Sequence, residues 1–421
     1  MNKHDEFAKS LLPKNSSIQP TNDEEKKARR IIYNMEMQRE FVRRTYIAVK
    51  NQFGDNYIHI RENMYGERIV VQMIFKTQGC RMRKAGSCWN CNYGASDIVE
   101  LNRNQIIKEF REKIKQSKGN VLVLESFGSI TDSKEFDKGL FKEIIKIAIE
   151  ESEFPTILIE THMRHISEEL VQYIDGINKE KNKNIGFEVG VEDMNPQNRK
   201  LINKIGVDNV KLFELYEMLQ RYGMELDINL IYGFPFMNEK ERIEATYNSV
   251  KEISRQMPES AIVLFLMSVK ENTIMEEMFK NEIYNLPNPW GFIELINKIL
   301  KDDEIGNIIT FSWFGEKEDP YVKDNTCYTC EECRTKIIEA IRRINGTFDK
   351  EDRTNIIKEL MQQTSNQECD CYDTFKSQLQ KNDGQTVQMR YINFIKDVNK
   401  YSKIETHNQF KISFSDGNKG R

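Results

Sequence analysis

Short apolar runs alternate with amphipathic helical patterns through the middle of the chain. The runs are rich in Val, Ile and Leu, which is typical of strands buried on both faces. They occupy residues 69–75, 120–125, 156–160, 185–191, 226–232 and 261–267. Helical patterns separate them at residues 101–118, 136–151, 168–177, 210–222 and 239–255. This alternation predicts parallel βαβ units, and six of them form an α/β fold of the partial (β/α)6, TIM-like barrel type.

The flanking segments differ from this core. Residues 1–20 are polar and contain two prolines, which predicts disorder, and residues 22–52 carry a helical pattern. Helical patterns return at residues 291–300, 334–363 and 386–404, and residues 411–421 are expected to fray. The chain is therefore predicted to have a partly disordered, then helical N-terminal extension (1–68), a core (69–300) and a cysteine-rich α-helical C-terminal region (301–421).

Composition narrows the classes of protein. Of 421 residues, 39% are hydrophobic and 30% charged, which fits a globular chain, and the net charge of −4 gives no overall basic field for nucleic acid. No apolar run approaches the ~20 residues that span a bilayer, so no membrane contact is expected. The N-terminus has no signal-peptide core, which predicts a cytoplasmic protein with reduced thiols. Its eight cysteines, in two groups, therefore indicate metal sites instead of disulfides.

The first cysteine group follows the first apolar run, in a segment that we call the cysteine loop (residues 76–95). Cys80, Cys88 and Cys91 have the pattern C-x7-C-x2-C, among three glycines that permit tight turns. Arg81, Arg83 and Lys84 add positive charge, which favours thiolates over thiols. Three thiolates leave a coordination position open, and an open position permits chemistry. The alternative is a zinc knuckle that a cysteine elsewhere completes.

A strand, a three-cysteine loop ending in C-x2-C, and repeated strand–helix units resemble the radical S-adenosylmethionine (SAM) superfamily. The usual family spacing is C-x3-C-x2-C, so the longer first gap is more loosely similar to the elongator and methylthiotransferase type. The loop sequence, a later N-T-I-M-E-E segment and a proline-rich segment ending at Trp290 are similar to the archaeosine synthase radical SAM subunit. The resemblance implies a [4Fe–4S] cluster on Cys80, Cys88 and Cys91, with SAM on the fourth iron.

The resemblance also implies a SAM pocket at the carboxyl ends of the strands. Residues 126–132 (SFGSITD) are similar to the family segment that binds the methionine amino group, and the three residues G-V-E at 190–192 are similar to the segment near the SAM ribose or carboxylate. A G-F-P turn at 233–235 is similar to the one that supports adenine. The implied cofactor-binding residues are Gly128, Ser129, Glu160, Arg164, Glu192, Gly233 and Pro235.

The second cysteine group follows the core. It contains C-x2-C-x2-C and then C-x-C, formed by Cys327, Cys330, Cys333, Cys369 and Cys371. Five thiols can supply a four-thiolate zinc site or hold a second [4Fe–4S] cluster, and sulfur ligation alone suits both metals. Both alternatives stay open on the sequence.

The resemblance implies an enzyme in which a reduced cluster cleaves SAM and the resulting 5′-deoxyadenosyl radical removes a hydrogen atom from the substrate. A flavodoxin or ferredoxin would supply the electron. The archaeosine branch implies a lysine adduct of a 7-deazaguanine base in tRNA as substrate, with tRNA and a partner transferase as partners. A small molecule or a peptide is the alternative substrate. A non-catalytic, zinc-stabilised interaction protein is the alternative from another class.

Overall fold

A computed structural model of the chain gives the fold. It describes residues 23, 25–28, 56–65, 67–77, 79–84, 87–92, 101–204, 206–270, 273–312, 329–364, 369–381 and 383–401. The expectations for residues 1–20 and 411–421, for most of the helix at 22–52, and for Cys327 lie outside these residues.

Eight strands form one sheet in chain order and curl into a half-barrel. They are β1 (Ile58–Tyr65), β2 (Arg68–Phe75), β3 (Val121–Ser126), β4 (Thr156–Glu160), β5 (Asn184–Glu192), β6 (Glu225–Tyr232), β7 (Ala261–Leu266) and β8 (Ile309–Ser312). Strand β1 pairs antiparallel with β2, and the following neighbours from β2 to β8 are all parallel. The carboxyl ends of seven strands therefore meet at one edge, where such sheets carry their sites.

The predicted α/β fold is confirmed, and the six predicted strands are β2 to β7. The count of six units is not confirmed, because β1 and β8 extend the sheet at its two edges, on either side of residues 69–300. Strand β1 reads IHIRENMY and is only half buried, so it lacks the continuous apolar run of a central strand. Strand β8 has four residues, too few for a pattern.

Helices lie between the parallel strands, and the last of them follow β8. They are α1 (Arg81–Lys84), α2 (Arg103–Gln116), α3 (Lys138–Glu151), α4 (Glu168–Asn178), α5 (Pro196–Lys200), α6 (Asn209–Arg221), α7 (Glu239–Gln256), α8 (Ile274–Lys280), α9 (Pro289–Leu300), α10 (Glu331–Asn345), α11 (Lys350–Thr364), α12 (Cys371–Gln380) and α13 (Val387–Tyr401). A short 3₁₀ helix, Met163–His165, follows β4. The helical stretch expected at 334–363 is two helices, because α10 ends at Asn345, with Gly346 as its C-cap.

Sequence signals explain where these helices begin. Asp137, Ser167 and Asp208 each accept a hydrogen bond from a backbone N–H in the first turn of the helix that follows. Asn238 and Glu241 form a reciprocal capping box at the start of α7. The apolar faces of these helices then pack on the outer side of the sheet, where Phe75 contacts Phe110 and Phe136.

The inner side of the sheet has its own apolar cluster, formed by Val70, Val121, Val123 and Leu158 near the amino ends of the strands. Alternate residues of a strand share a face, so the next inward positions lie nearer the carboxyl edge. No helix in the described part of the chain is both long enough and apolar enough to cross a membrane.

Candidate functional site

The cysteine loop leaves the carboxyl end of β2, and backbone hydrogen bonds fix it to the chain after α5. The N–H of Cys88 donates to Asn203 O at 3.1 Å, and that of Trp89 donates to Ile202 O at 2.9 Å. Within the loop, Cys91 N–H donates to Cys88 O at 2.9 Å. Cys88 adopts a φ of 59°, a left-handed conformation that tight packing has to maintain in a non-glycine residue. Residues 87–91 of the loop therefore form a fixed turn.

Trp89, between two of the cysteines, anchors the loop. Its side chain is fully buried, and its carbonyl accepts a hydrogen bond from Met275 N at 3.1 Å. The ring of Phe394, in α13, packs against Trp89 with a centroid distance of 6.2 Å. Phe236, in the turn after β6, packs on Phe394 in turn at 5.3 Å. The C-terminal helix α13 therefore covers the cysteine loop, a contact that no sequence motif indicated.

The electrostatics of the loop differ from the sequence expectation. Burial and then the Glu135 carboxylate raise the pKa of the Cys80 thiol to about 12. Arg81, expected to favour thiolates, instead pairs with Asp132 at 2.8 Å, and Arg83 Nε donates to Cys91 O at 2.7 Å. The thiol form is therefore favoured at Cys80, so that metal binding there would have to displace the proton.

Glu135 joins the cysteine loop to the turn after β3. Its two carboxylate oxygens accept hydrogen bonds from the backbone N–H groups of Arg81 and Ser129, each at 2.6 Å. Gly128 lies directly against this bridge, because a Cβ built on it would collide with Glu135 Oε2 and lie 3.1 Å from Cys80 Cα. Gly128 and Ser129 thus lie beside Cys80, and the sequence analysis missed Glu135, which joins them to the loop.

Alanine at Gly128 is expected to displace the Glu135 carboxylate. Two buried hydrogen bonds are then weakened, and we expect a stability loss of about 2 kcal/mol and reduced iron retention. Urea unfolding and iron analysis after anaerobic reconstitution measure both. The matched control is Gly176→Ala in α4, where a Cβ meets no atom within 4 Å and the gain in helix propensity is favourable. Equal stability and iron content in the two variants would contradict the role given to Gly128.

Glu192 forms a buried ion pair with Lys204. It follows the bulge in β5 at Gly190 and has a φ of 69°. Its Oε1 lies 2.6 Å from Lys204 Nζ, and the two side chains are 14% and 11% exposed. Burial alone would lower the pKa of Lys204, but the charges of Glu192 and Cys88 raise it above its ordinary value. Lys204 in turn opposes the effect of burial, which raises the pKa of Cys88. Lys204 is therefore the cation that most lowers the pKa of Cys88.

Acidic side chains line the inner face of the sheet, above the inner apolar cluster. We call this set the interior carboxylate row; it consists of Glu125, Glu160, Glu188 and Asp227, on β3 to β6. Glu160 and Glu188 are paired in register across β4 and β5, and Glu188 pairs with Asp227 across β5 and β6. Burial and then Glu160 raise the pKa of Glu188 to about 8, and burial and then Glu225 raise that of Asp227 to about 7. The carboxylates of the row therefore ionise at higher pH than exposed carboxylates do.

Two acceptors of this region have no hydrogen-bond partner among the described residues. They are Asp227 Oδ1 and Asn229 Oδ1, both buried. Asn229 donates through Nδ2 to Glu188 Oε1 at 2.8 Å, so its oxygen lies beside the row. Unmet buried acceptors next to protonatable carboxylates suit a ligand that brings N–H donors or positive charge.

The remaining implied residues lie in different surroundings. Glu160 belongs to the interior carboxylate row. Arg164 is exposed in the 3₁₀ helix, and its guanidinium carbon lies 3.3 Å from the position that a Cβ on Gly206 would occupy. Gly233 has a φ of 113°, and a Cβ there would lie 2.6 Å from Pro287 Cγ, so glycine is required by both strain and space. Its carbonyl accepts from Tyr284 Oη at 2.9 Å, and Pro235 is buried.

The second cysteine group is tightly gathered. The Sγ atoms of Cys330, Cys333, Cys369 and Cys371 all lie within 4.8 Å of one another. Among the described residues, Cys80, Cys88 and Cys91 do not form a group of that compactness. A cluster does not require such compactness, because each cysteine binds a different iron at a separate corner. The three soft thiolate donors of the cysteine loop fit a [4Fe–4S] group.

Comparison with known proteins gives relatives for this arrangement. No family model matches the chain. Archaeosine synthase subunit beta of Methanosarcina acetivorans is 25% identical over 74% of this chain and 85% of its own length. The resemblance to archaeosine synthase that the sequence indicated is thereby confirmed. An uncharacterized protein of Methanocaldococcus jannaschii is 26% identical over 73% of this chain and 81% of its own length.

Among solved structures, coproporphyrinogen III oxidase of Escherichia coli, a radical SAM enzyme, is 18% identical. It matches 56% of this chain and 52% of its own, with a TM-score of 0.37.

Proposed function

We propose that this protein is a radical SAM enzyme in which Cys80, Cys88 and Cys91 hold a [4Fe–4S] cluster and SAM completes its coordination. The observation that carries the proposal is the position of the cysteine loop. It leaves the carboxyl edge of the sheet, bonded on one side to the chain after α5 and on the other, through Glu135, to the turn after β3. The turn after β3 is one of the segments to which the resemblance assigns SAM.

When bound, a reduced cluster supplies the electron that cleaves SAM. The chain's own part is to hold and orient. Glu135 keeps Gly128 and Ser129 beside Cys80, where they would receive the methionine amino group. Lys204 holds Glu192 next to Cys88, on the side proposed for the ribose or carboxylate of SAM. Gly233 and Pro235 would support adenine, and Glu160 and Arg164 are proposed as further contacts.

For the substrate we propose a 7-deazaguanine base in tRNA that carries a lysine adduct, cleaved to leave a formamidine. The similarity to archaeosine synthase subunit beta supports this class. The interior carboxylate row, with the unmet acceptors of Asp227 and Asn229, suits the cationic amine of such an adduct. We accordingly propose tRNA, a lysine-transferring partner enzyme and a flavodoxin or ferredoxin as partners, in the cytoplasm, where thiols stay reduced.

The second candidate is a radical SAM enzyme that acts on a small molecule or peptide with an amine. The same interior row favours it, because carboxylates bind any amine, and the net charge of −4 offers no general attraction to tRNA. A non-catalytic protein with two zinc knuckles fits less well, because the three cysteines of the loop are not gathered around one point as the C-terminal four are.

Three substrates distinguish these functions. Anaerobically reconstituted, reduced protein is incubated with SAM and with adduct-bearing tRNA, with the same tRNA lacking the adduct, or with a free diamine. We expect 5′-deoxyadenosine to form at least tenfold faster with the first, together with formamidine product. Stimulation by the diamine alone supports the second candidate. No SAM cleavage under any condition, in protein with a full cluster, would rule out both.

A further inference from the structure

The C-terminal cysteines form a site of different geometry from the cysteine loop. Cys333 Sγ lies 3.4 Å from Cys369 Sγ, and all four sulfur atoms lie within 4.8 Å of one another. A tetrahedral zinc ion with Zn–S bonds of about 2.3 Å holds its sulfur ligands ~3.8 Å apart. A [4Fe–4S] cluster instead separates its cysteines, since each binds a different corner iron. The spacing therefore matches one metal ion at the centre of four sulfurs.

We propose that Cys330, Cys333, Cys369 and Cys371 bind a single structural zinc ion, and that this site holds no second iron–sulfur cluster. The set is complete without Cys327, because a closed tetrahedral zinc site takes four ligands. Four thiolates around one divalent cation fill its coordination sphere, so the site lacks the open position that a catalytic metal keeps.

The backbone around these cysteines is arranged for thiolates. Cys330 N–H points to Cys371 Sγ at 3.3 Å, and Cys333 N–H points to Cys330 Sγ at 3.4 Å. Cys330 is the N-cap of α10 and Cys371 is the first residue of α12, so both sulfurs lie at helix N-termini. Amide hydrogens and the positive ends of helix dipoles favour negatively charged ligands there.

The zinc ion would join two helices that are distant in sequence. Its ligands come in pairs from the start of α10 and from the start of α12. Helix α12 packs on the core: Tyr372 contacts Trp290 at a ring distance of 5.2 Å, and Gln378 Oε1 accepts from Asn288 Nδ2 at 3.0 Å. Both partners belong to the start of α9. The site therefore fastens the C-terminal region to the half-barrel, ahead of α13, which covers the cysteine loop.

Metal analysis tests the proposal without measuring activity. Protein purified anaerobically, with no added iron, is expected to contain about one zinc per chain. The variant with alanine at Cys80, Cys88 and Cys91 should keep this zinc while losing its iron. Cys333→Ser should lower zinc content at least fivefold and lower the apparent Tm, whereas the matched control Cys327→Ser should change neither. Cobalt substitution should give the visible bands of a tetrahedral thiolate complex.

A folding failure of Cys333→Ser leaves the test intact, because the variant lacking the three loop cysteines reports on the C-terminal site alone. Zinc retained there supports the proposal. A [4Fe–4S] signal in that variant, or fully folded protein with neither metal at the site, would overturn it.

Discussion

A variant with alanine at Cys80, Cys88 and Cys91 is expected to show no SAM cleavage. Each of these thiols occupies a position that hydrogen bonds define, from Asn203 behind Cys88 to Glu135 beside Cys80, so no other described cysteine can substitute for them. The four remaining described cysteines are gathered elsewhere, around a different centre. Loss of the ligands would remove the proposed cluster, through which the electron passes from the reductant to SAM.

The measurement is 5′-deoxyadenosine formation by reconstituted, dithionite-reduced protein, together with iron content. Cys327→Ser, which changes a cysteine outside the proposed ligand sets, is the matched control and should retain wild-type cleavage. Wild-type circular dichroism in the triple variant confirms that the fold persists. SAM cleavage by a folded triple variant that contains no cluster would disprove the assignment.

The sequence predicted the central strands because their environment is simple. Strands β2 to β7 are largely buried on both faces, so most of their residues are apolar, and their parallel pairing requires the helices that the pattern also indicated. The edge strands β1 and β8 lack this signal. Half-exposed residues of β1 alternate irregularly, and β8 is stabilised by its neighbours, for example through the two hydrogen bonds of Asn345 with Phe311.

The site was predictable where a local motif carries the chemistry. Three cysteines, and a glycine beside a serine at a strand end, are visible in a short window of sequence. Glu135 contacts the cysteine loop at Arg81, 54 residues away in the sequence. Lys204 acts on Cys88 through its charge. Phe394 contacts Trp89 from the C-terminal helix. Such long-range partners have no sequence signature, because many charged or aromatic residues at other positions look the same. The interior carboxylate row was missed, except for Glu160, for the same reason.

Lys204→Met is expected to have the largest effect on stability of any single charged residue in the site. It leaves the Glu192 carboxylate inside the protein without its partner at 2.6 Å, which costs about 3 kcal/mol. Lys146→Met is the matched control, because its pair with Glu150 spans 3.8 Å with both side chains about half exposed, and such pairs contribute ~0.5 kcal/mol or less. Denaturant unfolding of the proteins, purified without reconstitution of the cluster, measures both changes.

A double-mutant cycle separates the ion pair from a role in SAM binding. Glu192→Gln keeps an acceptor for Lys204, so it should destabilise the fold less than Lys204→Met, and the double variant should recover part of the loss because no unpaired charge remains. Affinity for SAM is read from the spectroscopic response of the reconstituted cluster. If Glu192 contacts SAM directly, this affinity should be lower in the double variant than in the wild type. Recovery of both stability and SAM affinity in the double variant would show that Glu192 serves only to neutralise Lys204 beside Cys88.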